Sequence, residues 1–368
     1  MTDLIQPLST EQKIGQLFVI GIPGPEIDVE TTELLDEIDP GGICLFARNI
    51  REARQTRDLT DQLRKSLQSP IIAVDQEGGL VDRLRRILSP MPAASRILSA
   101  DDSKCLAGIV SEALRTLGMN MDFAPVVDIV DHGRAGFSNG LASRTFGASK
   151  EETAELAGEF LSVLQANGII GCLKHFPGLG AAEVDSHEEL PAVNISEEEL
   201  RSVDLYPYRQ LIASGDVHAV MVAHAAFPEA ALQEFDQNGK LLPSSLSYNI
   251  VTNLLRDELQ FDGLVITDDL EMGAIVKNYG VGDACKRAIN VGVDMLAICA
   301  EPSAIREGYF SVLAAANEGE IEMGRIDTSL GRIATLKRNL TEPLPFDSSR
   351  LNSLSTEIAE FTERLSRI

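Results

Sequence analysis

Several ionisable side chains stand at the ends of apolar runs, where the chain gives them little water. Asp75 closes IIAVD, Asp128 lies in FAPVVDI, and Lys174 and His175 close IIGCLKH. His224 lies in VMVAHAAF, and Asp268 and Asp269 close LVITDD. A charged group in such a place loses hydration unless it is paired, so several of them converging on one rim point to a site rather than to core satisfaction. Carboxylates there could act as nucleophiles or accept hydroxyl protons, lysine and arginine could donate, and histidine could carry a proton near neutrality. Three histidines, His175, His187 and His224, belong to these segments or to the adjoining loop. No HxH or HExxH spacing occurs among them, and their neighbours are cationic, so neither a metal nor another cofactor is expected.

The elements that must hold these residues read as alternating strands and helices. Strands are expected at Gln16–Ile22, Gly42–Ala47, Pro70–Gln76, Met119–Ile129, Ile169–Phe176, Ala219–Phe227, Gly263–Leu270 and Met295–Ala300. These runs are aliphatic without polar alternation, the pattern of parallel strands buried on both faces. Amphipathic stretches fill the gaps, among them Lys150–Asn167, Glu197–Ser214 behind the capping Ser196, Ser245–Glu258 and Asp327–Leu340. The expected fold is α/β: a single (β/α)8 TIM-type barrel over residues 1–340, with a short, partly helical C-terminal extension over 341–368. An open doubly wound sheet is the alternative, weakened because no GxGxxG follows the first strand. In a barrel, the strand ends named above share one rim.

Composition narrows the function classes. Of 368 residues, 44% are apolar and 24% charged, as in an ordinary globular protein. The net charge of −24 repels phosphate backbones, and no basic run offsets it, so no nucleic-acid partner is expected. The cysteines Cys44, Cys105, Cys172, Cys285 and Cys299 form no CxxC pair and read as reduced, mostly buried residues. The N-terminal stretch lacks a signal-peptide pattern, and no apolar run is long enough to span a membrane. A soluble, cytoplasmic monomer without a membrane partner is the expectation.

The segment KHFPGLGAAEVDSHEELP (Lys174–Pro191) strongly resembles glycoside hydrolase family 3, in its β-N-acetylhexosaminidase branch. VDQEGGLVDRL (Val74–Leu84), SRTFG (Ser143–Gly147), GGICLFARN (Gly41–Asn49) and FDGLVITDDLEMGAI (Phe261–Ile275) resemble further segments of that family. The likeness runs from about residue 10 to about residue 340. Two positions depart from the commoner pattern: Leu179 replaces a histidine and Leu80 a basic residue, which bears on fine substrate preference.

The resemblance implies a retaining β-N-acetylglucosaminidase acting on an N-acetylglucosamine-containing glycan. It assigns Asp268 as nucleophile, His187 as acid/base and Asp185 as the residue that orients it. It assigns Asp75, Arg83, Arg144, Lys174 and His175 to sugar binding. The i, i+2 spacing of Asp185 and His187 suits an extended loop in which both face the same way, and Asp269 should then point away from Asp268. Glu183 is the next candidate proton donor, and His224 and Asp128 read as rim scaffolding. The implied substrate is a cell-wall fragment of the kind met in peptidoglycan recycling. Rival readings are a β-glucosidase or a glycoside phosphorylase of the same fold, and a catalytically inactive sugar-binding barrel.

Overall fold

Each of the eight apolar runs contains a strand. They are β1 (Phe18–Gly21), β2 (Gly42–Leu45), β3 (Ile71–Val74), β4 (Met121–Asp122), β5 (Ile170–Phe176), β6 (Ala219–Val222), β7 (Leu264–Asp269) and β8 (Met295–Ile298). The computed structural model describes residues 8–137, 140–183 and 189–367. Among these residues the strands pair in parallel with their chain neighbours, and β8 returns to β1 to close the barrel. Every residue of β1, β2, β3, β6 and β8 is buried. Such strands face side chains inside the barrel and helices outside it, which is why they carry no polar alternation.

Where elements differ from the sequence reading, local chemistry explains most of it. The regular strand of the fourth run is only Met121–Asp122; beyond it Pro125 has no N–H to donate, although the Ala124 and Pro125 carbonyls still accept from Cys172 N and Lys174 N. Val126 bridges to Lys174 further on. The stretch read as one helix from Glu197 to Ser214 is a short α-turn, a wider i→i+5 segment at Leu200–Asp204, and an α-helix at Leu205–Ala213. Pro207 lies in that last segment and cannot donate to the carbonyl a turn behind it. Ser196 caps the start, accepting from Glu199 N at 3.1 Å. The Ser245–Glu258 stretch begins as a 3₁₀ turn, and its helix starts at Asn249. The final barrel helix starts earlier than expected, at Met323, and ends at Lys337.

Residues 348–366 form a helix that buries Leu351, Leu354, Ile358, Phe361 and Leu365, a stripe at helical spacing. The stripe lies on the helix Ala100–Thr116, and Arg350–Glu112 (2.6 Å) and Arg364–Asp102 (2.7 Å) ion pairs flank it. No helix among the described residues is long and apolar enough to cross a membrane.

The base of the barrel is tied by Asp294, which is fully buried just before β8. Its carboxylate meets Arg256 at 2.6 Å, Arg325 at 2.9 Å and Arg332 at 3.3 Å, and accepts from Val265 N at 3.0 Å. One acid thereby joins β7 to two of the helices outside the sheet.

Candidate active site

The opposite end of the barrel holds a cavity of about 160 Å³. Residues at or just beyond the strand ends line it: Phe46, Asp75, Lys174, His175, Met221 and Asp268. Glu77, Arg83 and Arg144 complete its charged wall. The two register shifts at this end fall beside these residues, between Leu173 and Phe176 and between Met295 and Ala297. Irregular pairing of this kind re-aims side chains at strand ends. The Lys174–His175 peptide is cis.

A small hairpin after β3, pairing Gln76–Gly78 with Val81–Asp82, aims Glu77 and Arg83. Gln76 holds it together: its amide donates to Asp82 at 2.9 Å, and its side-chain oxygen accepts from Arg83 N and Leu84 N at 3.0 Å. Gly78 has φ +84°, and a Cβ there would fall 2.2 Å from the Pro92 carbonyl oxygen, so only glycine fits this turn. Leu80 sits at the hairpin tip and is 70% exposed.

Charges on this wall interlock. Lys174, 2% exposed, places Nζ 2.7 Å from Asp75 and 2.6 Å from Glu77. Arg144 grips Glu77 with two bonds of 2.7 and 2.9 Å, and Arg83 stands 3.6 Å from Asp75. Burial works against the charge on Glu77, but the ammonium of Lys174 and the guanidinium of Arg144 outweigh it and hold the carboxyl down at about 2. Burial likewise opposes the charge on Lys174, and Asp75 and Glu77 overcome it, keeping the ammonium protonated. Glu77, Lys174 and Arg144 therefore stay charged at any ordinary pH. Arg48 and Arg83 lie over the ring of Phe46, at 4.7 and 5.5 Å from its centroid.

Asp268, the last residue but one of β7, lines the cavity and accepts a 2.8 Å bond from Asp269 N. Burial alone would favour its protonated form. The charges of His175 and His224, the Asp269 N–H and the Lys174 ammonium win, and the carboxyl stays below its ordinary value. Asp269 takes the contrary course. Burial, with Glu271 and Asp268 adding to it, raises its carboxyl to about 7 against the bonds from the Glu271 and Cys299 N–H groups. Those bonds, of 3.1 and 3.3 Å, turn one Asp269 oxygen into the loop after β7, while the residue still contributes to the cavity wall. Two neighbouring carboxyls are thus split into an ionised and a largely neutral one near pH 6.

Asp128 and His224 act behind the wall. Asp128 accepts from Leu179 N at 2.6 Å and meets His175 Nδ1 at 2.7 Å, which leaves the far edge of that imidazole for the cavity. His224 is fully buried, bonded to the Ser245 hydroxyl at 2.7 Å and to the Asp269 carbonyl at 3.1 Å, where it steadies the end of β7.

Of the residues singled out in the sequence, Asp75, Arg83, Arg144, Lys174, His175 and Asp268 all line this cavity. Asp185 and His187 lie outside the described residues, and Glu183 is exposed. The sequence reading missed Glu77, Phe46 and Met221. Glu77 had a visible signal, an acid between a strand-end aspartate and two glycines, but its two cationic partners come from distant segments.

Comparison with known proteins places this geometry. The glycosyl hydrolase family 3 N-terminal domain matches residues 9–336. A beta-hexosaminidase of Pseudomonas aeruginosa is 36% identical over 288 residues, spanning 76% of this chain and 81% of the relative. The solved family 3 beta-N-acetylglucosaminidase of a Paenibacillus species superposes with a TM-score of 0.87 at 34% identity, over 97% of this chain and 69% of that one. A family 3 glycosyl hydrolase of Mycobacterium smegmatis superposes at 0.79 with 31% identity, over 89% of this chain and 97% of its own. The chain belongs to glycosyl hydrolase family 3 and is a glycoside hydrolase.

Proposed function

We propose that the enzyme is a retaining exo-β-N-acetylglucosaminidase that releases terminal β-linked N-acetylglucosamine, drawn from peptidoglycan fragments in the cytoplasm. The observation that carries this reading is Asp268, a carboxylate held below its ordinary value at a strand end and lining one small cavity with Lys174, Arg144, Arg83 and Asp75. The names borne by the Pseudomonas and Paenibacillus relatives support the sugar. In this reading Asp268 attacks the anomeric carbon while His187 protonates the leaving oxygen. His187 then takes a proton from the water that hydrolyses the glycosyl ester. Asp185 sets the tautomer of His187 and stabilises its imidazolium. Lys174, Arg144, Arg83 and Asp75 orient the sugar hydroxyls, and His175, held by Asp128, adds a donor or acceptor beside Asp268.

Paired aryl β-N-acetylglucosaminide and β-glucoside substrates test the reading. The first should be turned over far faster, and free sugar should be the product in phosphate buffer. Preference for the glucoside would overturn the sugar assignment, and release of sugar 1-phosphate would make the enzyme a phosphorylase.

A further inference from the structure

We propose that Cys44 and Cys299 form a two-thiol site in the wall of the catalytic cavity, one that takes soft species able to bridge two sulfurs, with trivalent arsenicals as the fitting class. Both cysteines are unpaired and buried in the fold, and both line the cavity. They flank one residue of β1 at the same level of the barrel, both on the cavity side.

They reach one another across β1, since Cys44 belongs to β2 and Cys299 follows β8. The residue between them is Gly21, the register partner of Cys44. A Cβ on Gly21 would fall 1.9 Å from the Cys299 carbonyl oxygen, so no side chain stands there. Two strand spacings separate the two backbones by roughly 9 Å, beyond the span of about 4–7 Å that a disulfide tolerates. An atom set between the sulfurs adds two bonds to the reach, which a direct sulfur–sulfur bond lacks. The neighbouring Cys44 thiol and burial both raise the Cys299 thiol, so it stands protonated and is a poor target for alkylation.

Condensation with an arsenical does not need a standing thiolate. With hydrated phenylarsine oxide, two arsenic–oxygen and two S–H bonds break, two arsenic–sulfur bonds form, and two waters leave. Arsenic stays trivalent, so no oxidant is consumed. The phenyl group then occupies space that the sugar would use.

The test is titration of the whole protein with phenylarsine oxide. Intact mass should show one arsenical per chain, a readout independent of the reaction assigned to the cavity. Hydrolysis should be lost in step with uptake and restored by 2,3-dimercaptopropanol but not by an equal concentration of a monothiol. Cys105→Ser, which removes the exposed thiol on an outer helix, should behave as wild type. Cys44→Ser and Cys299→Ser should each weaken uptake at least tenfold. Peptide mapping of the wild-type adduct, which needs no variant to fold, should find arsenic bridging the peptides that carry Cys44 and Cys299. No uptake by wild-type protein, or arsenic mapped to other cysteines, would overturn the proposal.

Discussion

Glu77 shows how much depends on a side chain that need not touch substrate. It lies between Lys174 and Arg144 and is nearly inaccessible, so removing its charge leaves buried Lys174 with Asp75 alone and takes from half-buried Arg144 its two-bond partner. Its carboxyl is held at about 2 instead of the ordinary 4.5. A depressed acid contributes stability that is fully present above the unfolded value and is lost as pH falls through the folded one. Glu77→Gln should therefore cost about 3 kcal/mol at pH 7, and the difference from wild type should shrink between pH 4.5 and 2. Urea unfolding across that range reads it, and a pH-independent difference would show that the pairing is not electrostatic. The variant should also raise KM, because Lys174 and Arg144 lose their common anchor. His187 makes a separate prediction. His187→Ala should slow hydrolysis of poor leaving groups by roughly 10²–10⁴-fold and spare the first step with a nitrophenyl leaving group. Azide should then restore turnover. Equal slowing of good and poor leaving groups, without rescue, would make His187 a binding residue. Asp268, Lys174 and His175 are legible in the sequence itself, because charges at the ends of apolar strands are rare and costly. Glu77 leaves only a weak signal, since an acid ahead of two glycines reads as readily as an exposed turn until folding brings Arg144 beside it.

At the scale of elements, the strands were easiest to read. Burial on both faces demands aliphatic runs, and few other elements of this length need them. Reading failed where backbone chemistry overrides hydrophobicity. The fourth run stays apolar past Pro125, although that residue has no N–H to offer the ladder and the regular strand ends at Asp122. The hairpin after β3 was missed because its two strands are too short to show a period, yet it places both Glu77 and Arg83. Asp294 is the corresponding device at the base. Three arginines share this one buried acid, so Asp294→Ala strands several cations at low exposure. It should cost about 3–5 kcal/mol of stability while leaving KM near its wild-type value, because the cavity is at the other end of the barrel. Urea midpoints and steady-state kinetics on one preparation would check both. A large change in KM without loss of stability would contradict the division of labour between base and rim.

For the whole molecule, the barrel turns residues scattered from Cys44 to Cys299 into one wall. In a chain of net charge −24, Lys174, Arg144 and Arg83 are gathered at this one cavity, interleaved with Asp75, Glu77 and Asp268. In the proposed function Asp268 forms a covalent bond to the sugar, a role suggested by its motif, its strand-end position and its retained charge. The direct measurement is to trap the enzyme with an activated 2-fluoro glycoside, digest it and map the label. The label should sit on Asp268, and Asp268→Asn should take up none while keeping the wild-type unfolding curve. Label on Asp269 or on another side chain, or full turnover by Asp268→Asn, would contradict the account.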